Sequence, residues 1–215
     1  HHPLHLTQSK ISDAVDTGLR WAEKAYETDP RARFFFLMWN CLWKSGASII
    51  HGHAQVTMTS DTHYAKVEQW RSAAAFYRHR VGSDYFDDLF GVHQALNLGF
   101  EWRGTRVFAY LTPIKEKEII LIAPFITDEL RQAIYLALSA LSGKMGVTSF
   151  NLAIYHPPFG PHDEAWRDFP TIVRIVDRGD PMNKTADMGA MELYASSVIS
   201  SDPFAVAATL RQQFQ

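Results

Sequence analysis

The alternation of side chains between Ile50 and Met58 constrains the fold of this chain more than any other local pattern. Histidine, histidine, glutamine and threonine occupy positions 51, 53, 55 and 57, and the positions between them are apolar or small. Because successive side chains of a β-strand point to opposite faces, the pattern predicts a strand with one core face and one polar face. His51, His53 and Gln55 would share the polar face, where two imidazoles and an amide could hold and attack an oxyanion.

The remaining segments predict an α+β protein. Apolar periodicity and capping residues lead us to expect helices over residues 10–27 (capped by Ser9), from 61 or 62 to 80, over 83–98 and 127–143, and from 202 onward. The expected strands are 33–40, covered on both faces, and 100–102, 106–112, 118–123, 148–155 and 171–177. The order of these elements indicates two related halves, residues 1–98 and 99–215, of which the first lacks its opening strands.

Composition narrows the classes of function. The chain has 215 residues, 47% of them hydrophobic, which is enough for a substantial core. The net charge of −2 argues against broad binding to nucleic acid, although a small phosphorylated ligand stays possible. Cys41 is the only cysteine, so these residues cannot form an internal disulfide, and we expect a cytoplasmic protein in which Cys41 packs in the core. No apolar run is long enough to predict a membrane-spanning segment. Because the sequence starts at His1 without methionine, we expect preceding residues or a tag.

Polar residues before the histidine strand could complete a phosphate site. A neutral imidazole can attack phosphorus, which divides a nucleotidyl or phosphoryl transfer into two steps. Gln55 could donate to nonbridging oxygens, as could the N–H groups and the Ser48 hydroxyl of a turn at 46–48. Asn40 follows six apolar residues, which indicates that its amide has a partner. Taken singly, these residues also fit a half-exposed strand, a histidine metal pair or ordinary turns; their combination favours phosphate chemistry.

The spacing of these residues resembles the active-site signature of the galactose-1-phosphate uridylyltransferase family, a branch of the histidine-triad superfamily: Asn40, Gly46, Ser48, His51, His53 and Gln55. The family usually has proline between the two histidines, where this chain has Gly52. The resemblance implies an α+β fold of two histidine-triad-like halves, with antiparallel sheets and packed helices. Residues 1–98 would then be the end of the first half, carrying the catalytic strand, and residues 99–215 would be the second half.

The resemblance also implies a role for each signature residue. His53 would be the nucleophile that forms a nucleotidyl-histidine intermediate, with His51 beside it and Gln55 hydrogen-bonded to the phosphoryl group. Asn40 and Ser48 would orient that group, and Gly46 would shape the binding turn. The implied activity is a nucleotidyltransferase, acting on a nucleotide sugar or nucleotide with a sugar 1-phosphate or phosphate as second substrate. A homodimer is expected from the resemblance alone.

A zinc site is a further implication. Family members have a zinc-ligand histidine nineteen residues before a helix tryptophan, and His2 stands nineteen residues before Trp21. His51 corresponds to a second zinc ligand in some members. The cysteine pair that completes their site is missing from this chain, so the zinc site is incomplete here or lost. A tag is the alternative origin of His2.

Other segments depart from the family. His156 lies in a segment that resembles one with an iron-ligand histidine, but Phe169 and Thr171 replace the partner histidines, so we expect this second metal site to be lost. Residues 188–194 resemble the segment that contacts the hexose. Glu192 matches its glutamate there, while Met191 replaces its tyrosine and Ala186 its lysine. The alternatives are therefore a phosphorylase of ADP-sugars or dinucleoside polyphosphates, or an inactive nucleotide-binding protein.

One basic group lies outside the signature. Arg174 and Arg178 fall on and just after the last predicted strand, and Lys184 follows them. The three cations could bind a phosphate, and a surface strand explains their presence almost as well. The sequence leaves both interpretations open.

Overall fold

The computed structural model describes residues 5–47, 53–184, 191 and 196–215. Within these residues, seven strands form one antiparallel sheet. In chain order they are β1 (Phe34–Cys41), β2 (Ala54–Thr59), β3 (Gly99–Trp102), β4 (Thr105–Ala109), β5 (Ile119–Ala123), β6 (Phe150–Tyr155) and β7 (Thr171–Asp177). Their order across the sheet is β2-β1-β6-β7-β5-β4-β3, so β1 lies directly beside β6, which comes much later in the chain.

Five α-helices in the described part of the chain flank the sheet: α1 (Gln8–Thr28), α2 (Ala65–Val81), α3 (Tyr85–Ala95), α4 (Asp128–Ser139) and α5 (Pro203–Gln213). A π-helical turn, Ala140–Lys144, extends α4, and short 3-10 turns occupy Trp43–Ser45 and Glu164–Trp166. The mixed helix and strand content confirms the predicted α+β class. None of the described helices has the length and apolar content needed to cross a bilayer.

Side-chain caps fix where several helices begin. Thr127 and Asp202 cap α4 and α5 as the sequence predicts, each accepting a hydrogen bond from a backbone N–H of the first turn. The predicted Ser9 cap is wrong, because Thr7 has the extended backbone of an N-cap and accepts from the Lys10 N–H. Helix α2 starts at Ala65, later than expected, since the preceding residues pair with one another or dock on the sheet.

Each face of the sheet carries its own apolar cluster. Helices α1, α4 and α5 cover one face, where Leu37, Leu152 and Ile134 are buried. Helices α2 and α3 cover the other face, where Phe36 and Ile120 are buried. Strand β1 supplies alternate residues to both clusters, which confirms the prediction of a strand covered on both faces.

The element order α1-β1-β2 recurs later as α4-β6-β7, and β1 lies directly against β6 in the sheet. Strands from both sides of the predicted boundary between residues 98 and 99 therefore share one sheet. The division into two histidine-triad-like halves stays a prediction.

Candidate active site

A row of polar side chains crosses three adjacent strands at one end of the sheet. Asn40 of β1 lies opposite Asn151 of β6. Strands β1 and β2 pair from Phe34 with Thr59 to Trp39 with Ala54, and this register, continued by one residue, places His53 opposite Asn40. The row His53, Asn40 and Asn151 therefore brings together residues that are far apart in the sequence.

The row lies on the face of the sheet that α2 and α3 cover. The side chains on this face become less polar with distance from the row. Side chains two residues apart on a strand share a face, so Gln55 lies on the same face as His53, and its partner across the strands is Met38. The exposed Gln55 and half-buried Met38 form the second row. Deeply buried residues begin only in the third row, where Phe36 pairs with Tyr155. The polar end of this face is thus the accessible one.

An amide network holds the row together. Asn151 donates from Nδ2 to Asn40 Oδ1 at 2.5 Å and to the backbone oxygen of Ser45 at 3.0 Å. The guanidinium of Arg178 donates to Oδ1 of Asn151. Both asparagines are only half-buried, yet each has a polar partner within the protein. The network joins β1, β6, the turn after β1 and the segment after β7.

The turn that follows β1 uses its own backbone amides. Leu42 and Gly46 have positive φ angles of 66° and 91°, and Gly46 closes the 3-10 turn. The Gly46 N–H donates to the Trp43 oxygen at 2.9 Å, and the Ala47 N–H donates to the Leu42 oxygen at 3.4 Å. These two amides are therefore paired inside the turn, whereas the Ser48 amide and hydroxyl lie outside the described residues. The anion cradle at 46–48 and binding by Gly46 therefore stay predictions.

Arg174 is not a surface cation. Its side chain is buried against Glu118, to which its Nε donates at 2.7 Å, and it also donates to the Tyr155 hydroxyl at 3.3 Å. Burial alone would lower the pKa of Arg174, but the Glu118 carboxylate beside it raises the pKa above its usual value. Both sequence interpretations of Arg174 are wrong, because the ion pair removes it from solvent and from any ligand. Of the three cations, Arg178 reaches the polar row, and a role for Lys184 stays a prediction.

Several predicted site residues lie outside the described residues: His2, Ser48, His51 and Glu192. The zinc site and the hexose segment therefore stay predictions. Among the described residues, no cluster of three or more histidine, cysteine, aspartate or glutamate side chains could hold a metal ion. Cys41 is buried in the first cluster, and burial raises the pKa of its thiol to about 12, which fits a packing role.

His156 directly follows β6 and packs against aromatic rings. Its ring contacts Phe35 edge-on and stacks on Phe159, and its Nδ1 lies 2.6 Å from the Pro157 oxygen. Burial lowers the pKa of His156. Thr171, which replaces a family histidine, has a buried hydroxyl with no hydrogen-bond partner among the described residues. The loss of the second metal site stays a prediction.

The sequence alone does not predict that Asn151 and the Ser45 carbonyl belong to the site. Asn151 stands alone among apolar neighbours in β6, between Phe150 and Leu152, and a polar residue in such a strand signals a specific partner. The sequence does not reveal that partner, since Asn40 is 111 positions away.

Comparison with known proteins establishes the fold. No family model and no curated protein sequence matches this chain. A uridylyltransferase mutant structure matches with a TM-score of 0.80 at 18% identity, over 99% of this chain and 73% of its own. A GalT-like protein from Arabidopsis thaliana matches with a TM-score of 0.74 at 14% identity, over 97% of this chain and 71% of its own.

A third solved structure differs in its reaction. An ADP-glucose phosphorylase from Arabidopsis thaliana with bound ADP-glucose matches with a TM-score of 0.72 at 15% identity, over 97% of this chain and 68% of its own. The three structures confirm the α+β fold with an antiparallel sheet and packed helices that the signature implies. At identities this low the likeness extends to the fold and not to the reaction.

Proposed function

We propose that the chain is a nucleotidyltransferase that acts on nucleotide sugars or sugar 1-phosphates through a nucleotidyl-histidine intermediate at His53. One observation carries the proposal: the β1–β2 register, continued by one residue beyond its last pair, places His53 opposite Asn40, with Gln55 on the same face, at the accessible end of the sheet. An in-line attack on phosphorus needs a positioned nucleophile and donors for the nonbridging oxygens, and His53 with two neighbouring amides could supply both. The shared fold with a uridylyltransferase supports the same conclusion.

The first half-reaction exchanges one bond to phosphorus for another. The lone pair of a His53 ring nitrogen attacks the α-phosphorus of the donor, and a P–N bond forms. The bond between that phosphorus and the bridging oxygen breaks, and the oxygen leaves with the electron pair as part of a sugar 1-phosphate. In the second half-reaction an oxygen of a sugar 1-phosphate or of inorganic phosphate attacks the same phosphorus and releases the imidazole.

The amides beside His53 would stabilise the charge that develops on the nonbridging oxygens. Gln55 is exposed on the face of His53, and its side-chain N–H group can donate to such an oxygen. The Oδ1 of Asn40 accepts a hydrogen bond from Asn151, which leaves the Nδ2 group of Asn40 to donate to a ligand. Preorganised donors of this kind commonly supply a large part of the rate enhancement in transfer reactions. Ser48, His51 and Glu192 would add to the site as the resemblance implies.

A phosphorylase is the second candidate. The ADP-glucose phosphorylase shares the fold, and this chain departs from the hexose segment at Ala186 and Met191. In such an enzyme inorganic phosphate would accept the nucleotidyl group in the second half-reaction. The covalent step at His53 is the same for both candidates, so the identity of donor and acceptor separates them.

Intact-mass spectrometry after a brief incubation with UDP-glucose, and separately with ADP-glucose, tests the covalent step. We expect a gain of one UMP or one AMP, which also identifies the base. His53→Ala should abolish the adduct and leave nucleotide binding largely intact, because it removes the nucleophile alone. A variant of the exposed His79, His79→Ala, is the matched control and should form the adduct as the wild type does.

The outcomes separate the candidates. Full adduct formation by His53→Ala would refute the assignment of the nucleophile. Nucleotide binding without any adduct in the wild type would favour an inactive nucleotide-binding protein. Glucose 1-phosphate, the leaving group of the first half-reaction, would discharge the isolated adduct for either candidate. Addition of a different sugar 1-phosphate, such as galactose 1-phosphate, or of inorganic phosphate therefore identifies the acceptor by which of the two removes the nucleotidyl group.

A further inference from the structure

The geometry points to Asn151 as a positioning residue that fixes the side-chain amide of Asn40 with its N–H group turned towards the ligand. This inference rests on the proposed function, because the phosphate of that reaction is the group that Asn40 would meet. Asn151 itself lies one strand further from His53, on β6, and acts through Asn40.

The orientation of the Asn151 amide follows from the chemistry of its two other partners. The backbone oxygen of Ser45 can only accept a hydrogen bond, so the Asn151 atom 3.0 Å from it must be the nitrogen. The guanidinium of Arg178 can only donate, so the Asn151 atom that it contacts must be the oxygen. A flipped amide would place donor against donor and acceptor against acceptor.

The orientation of Asn151 in turn fixes Asn40. The nitrogen of Asn151 lies 2.5 Å from one terminal atom of the Asn40 amide, and only an oxygen can accept there. The Asn40 nitrogen therefore points away from β6, on the side of β2 where His53 lies. Among the described residues none accepts a hydrogen bond from this nitrogen. Asn40 is thus held as a donor beside the proposed nucleophile.

The benefit of this arrangement is preorganisation. An asparagine amide that could rotate freely would present its oxygen to the phosphate part of the time, and an oxygen would repel the nonbridging oxygens. Fixing the amide beforehand removes that cost from the transition state. Arg178 and the turn after β1 orient Asn151, which gives a reason for three separate segments to contact this one side chain of β6.

A double-mutant cycle tests the inference on the rate of adduct formation in a single turnover. Asn151→Ala should lower this rate at least about 10-fold, because the Asn40 amide is freed to rotate. In the Asn40→Ala background the same substitution should change the rate less than about 3-fold, since nothing remains to be positioned. A purely structural role for Asn151 predicts the same loss in both backgrounds, and that result would overturn the inference.

A charge variant gives a second, independent readout. Asn40→Asp keeps the acceptor for Asn151 but replaces the ligand-facing N–H group by a carboxylate oxygen, so it should bind UMP and AMP more weakly than Asn40→Ala. Asn97→Asp, an exposed position between α3 and β3, is the matched control for the same chemical change. Equal or tighter binding of both nucleotides by Asn40→Asp would show that the Asn40 nitrogen does not face the ligand.

The design distinguishes failure of the inference from failure of the proposed function. If the wild type binds UMP or AMP but forms no adduct, His53 is not a nucleophile, and the cycle is then decided on the dissociation constants. Coupling between Asn40 and Asn151 in those constants supports the positioning role, and additivity overturns it. If the wild type neither forms an adduct nor binds either nucleotide, both the function and the inference fail.

Discussion

His63 should make the stability of this protein fall between neutral and acidic pH. The residue follows β2, and its buried ring docks on β1, with Nε2 lying 3.1 Å from the Phe35 oxygen. Its Nδ1 accepts a hydrogen bond from the Tyr64 N–H at 2.8 Å. Because a backbone N–H can only donate, protonation of Nδ1 would set two N–H groups against each other. The fold therefore requires a neutral imidazole.

The magnitude follows from the pKa. Burial is the largest cause that lowers the pKa of His63 from 6.5 to about 4, against the opposing effects of the Phe35 oxygen and the nearby Glu68 carboxylate. A folded-state pKa below the unfolded value means that the stabilisation is complete above pH 6.5 and is lost as the pH falls towards 4. The full effect is on the order of 3 kcal/mol, and about 2 kcal/mol of it is lost by about pH 5.

Urea denaturation of the wild type and of His63→Gln at about pH 8 and about pH 5 measures this contribution. Glutamine can donate to the Phe35 oxygen but does not titrate, so the variant should lose about 2 kcal/mol less than the wild type between the two pH values. Comparison with the variant removes the contributions of His93 and His156, whose pKa values burial also lowers. His79→Gln, at an exposed position, is the control and should reproduce the wild-type difference. An unchanged difference in His63→Gln would refute the reasoning.

Two further predictions concern packing, and both are measured as the free energy of unfolding in urea. Glu118→Gln leaves the buried Arg174 guanidinium without its counter-charge and should cost about 3–5 kcal/mol; a loss below about 1 kcal/mol would show that the ion pair is not needed. Gly18→Val should cost about 1–3 kcal/mol, because the added Cβ alone would lie 2.9 Å from Val56 Cγ2 and 3.1 Å from Leu37 Cδ1. Wild-type stability of Gly18→Val would mean that α1 can move away from β2.

Local patterns in the sequence correctly predict much of the sheet and its helices. The alternation along the histidine strand assigns Val56 and Met58 to the core face, and both pack against the first cluster. The pattern of capping residues identifies the starts of α4 and α5. Such features are predictable because the period of a strand and the hydrogen bonds of a helix end depend on neighbouring residues only.

The sequence by itself therefore determined the histidine strand, the order of the elements and the signature that implies phosphate chemistry. Only the tertiary structure decided which side chains meet across strands. It placed Asn151 against Asn40 over a separation of 111 residues, and it buried Arg174 against Glu118 where a surface cation was an open interpretation. The reason is physical: these contacts depend on strand register and on which face each helix covers, and both are set by packing of the whole core rather than by local sequence.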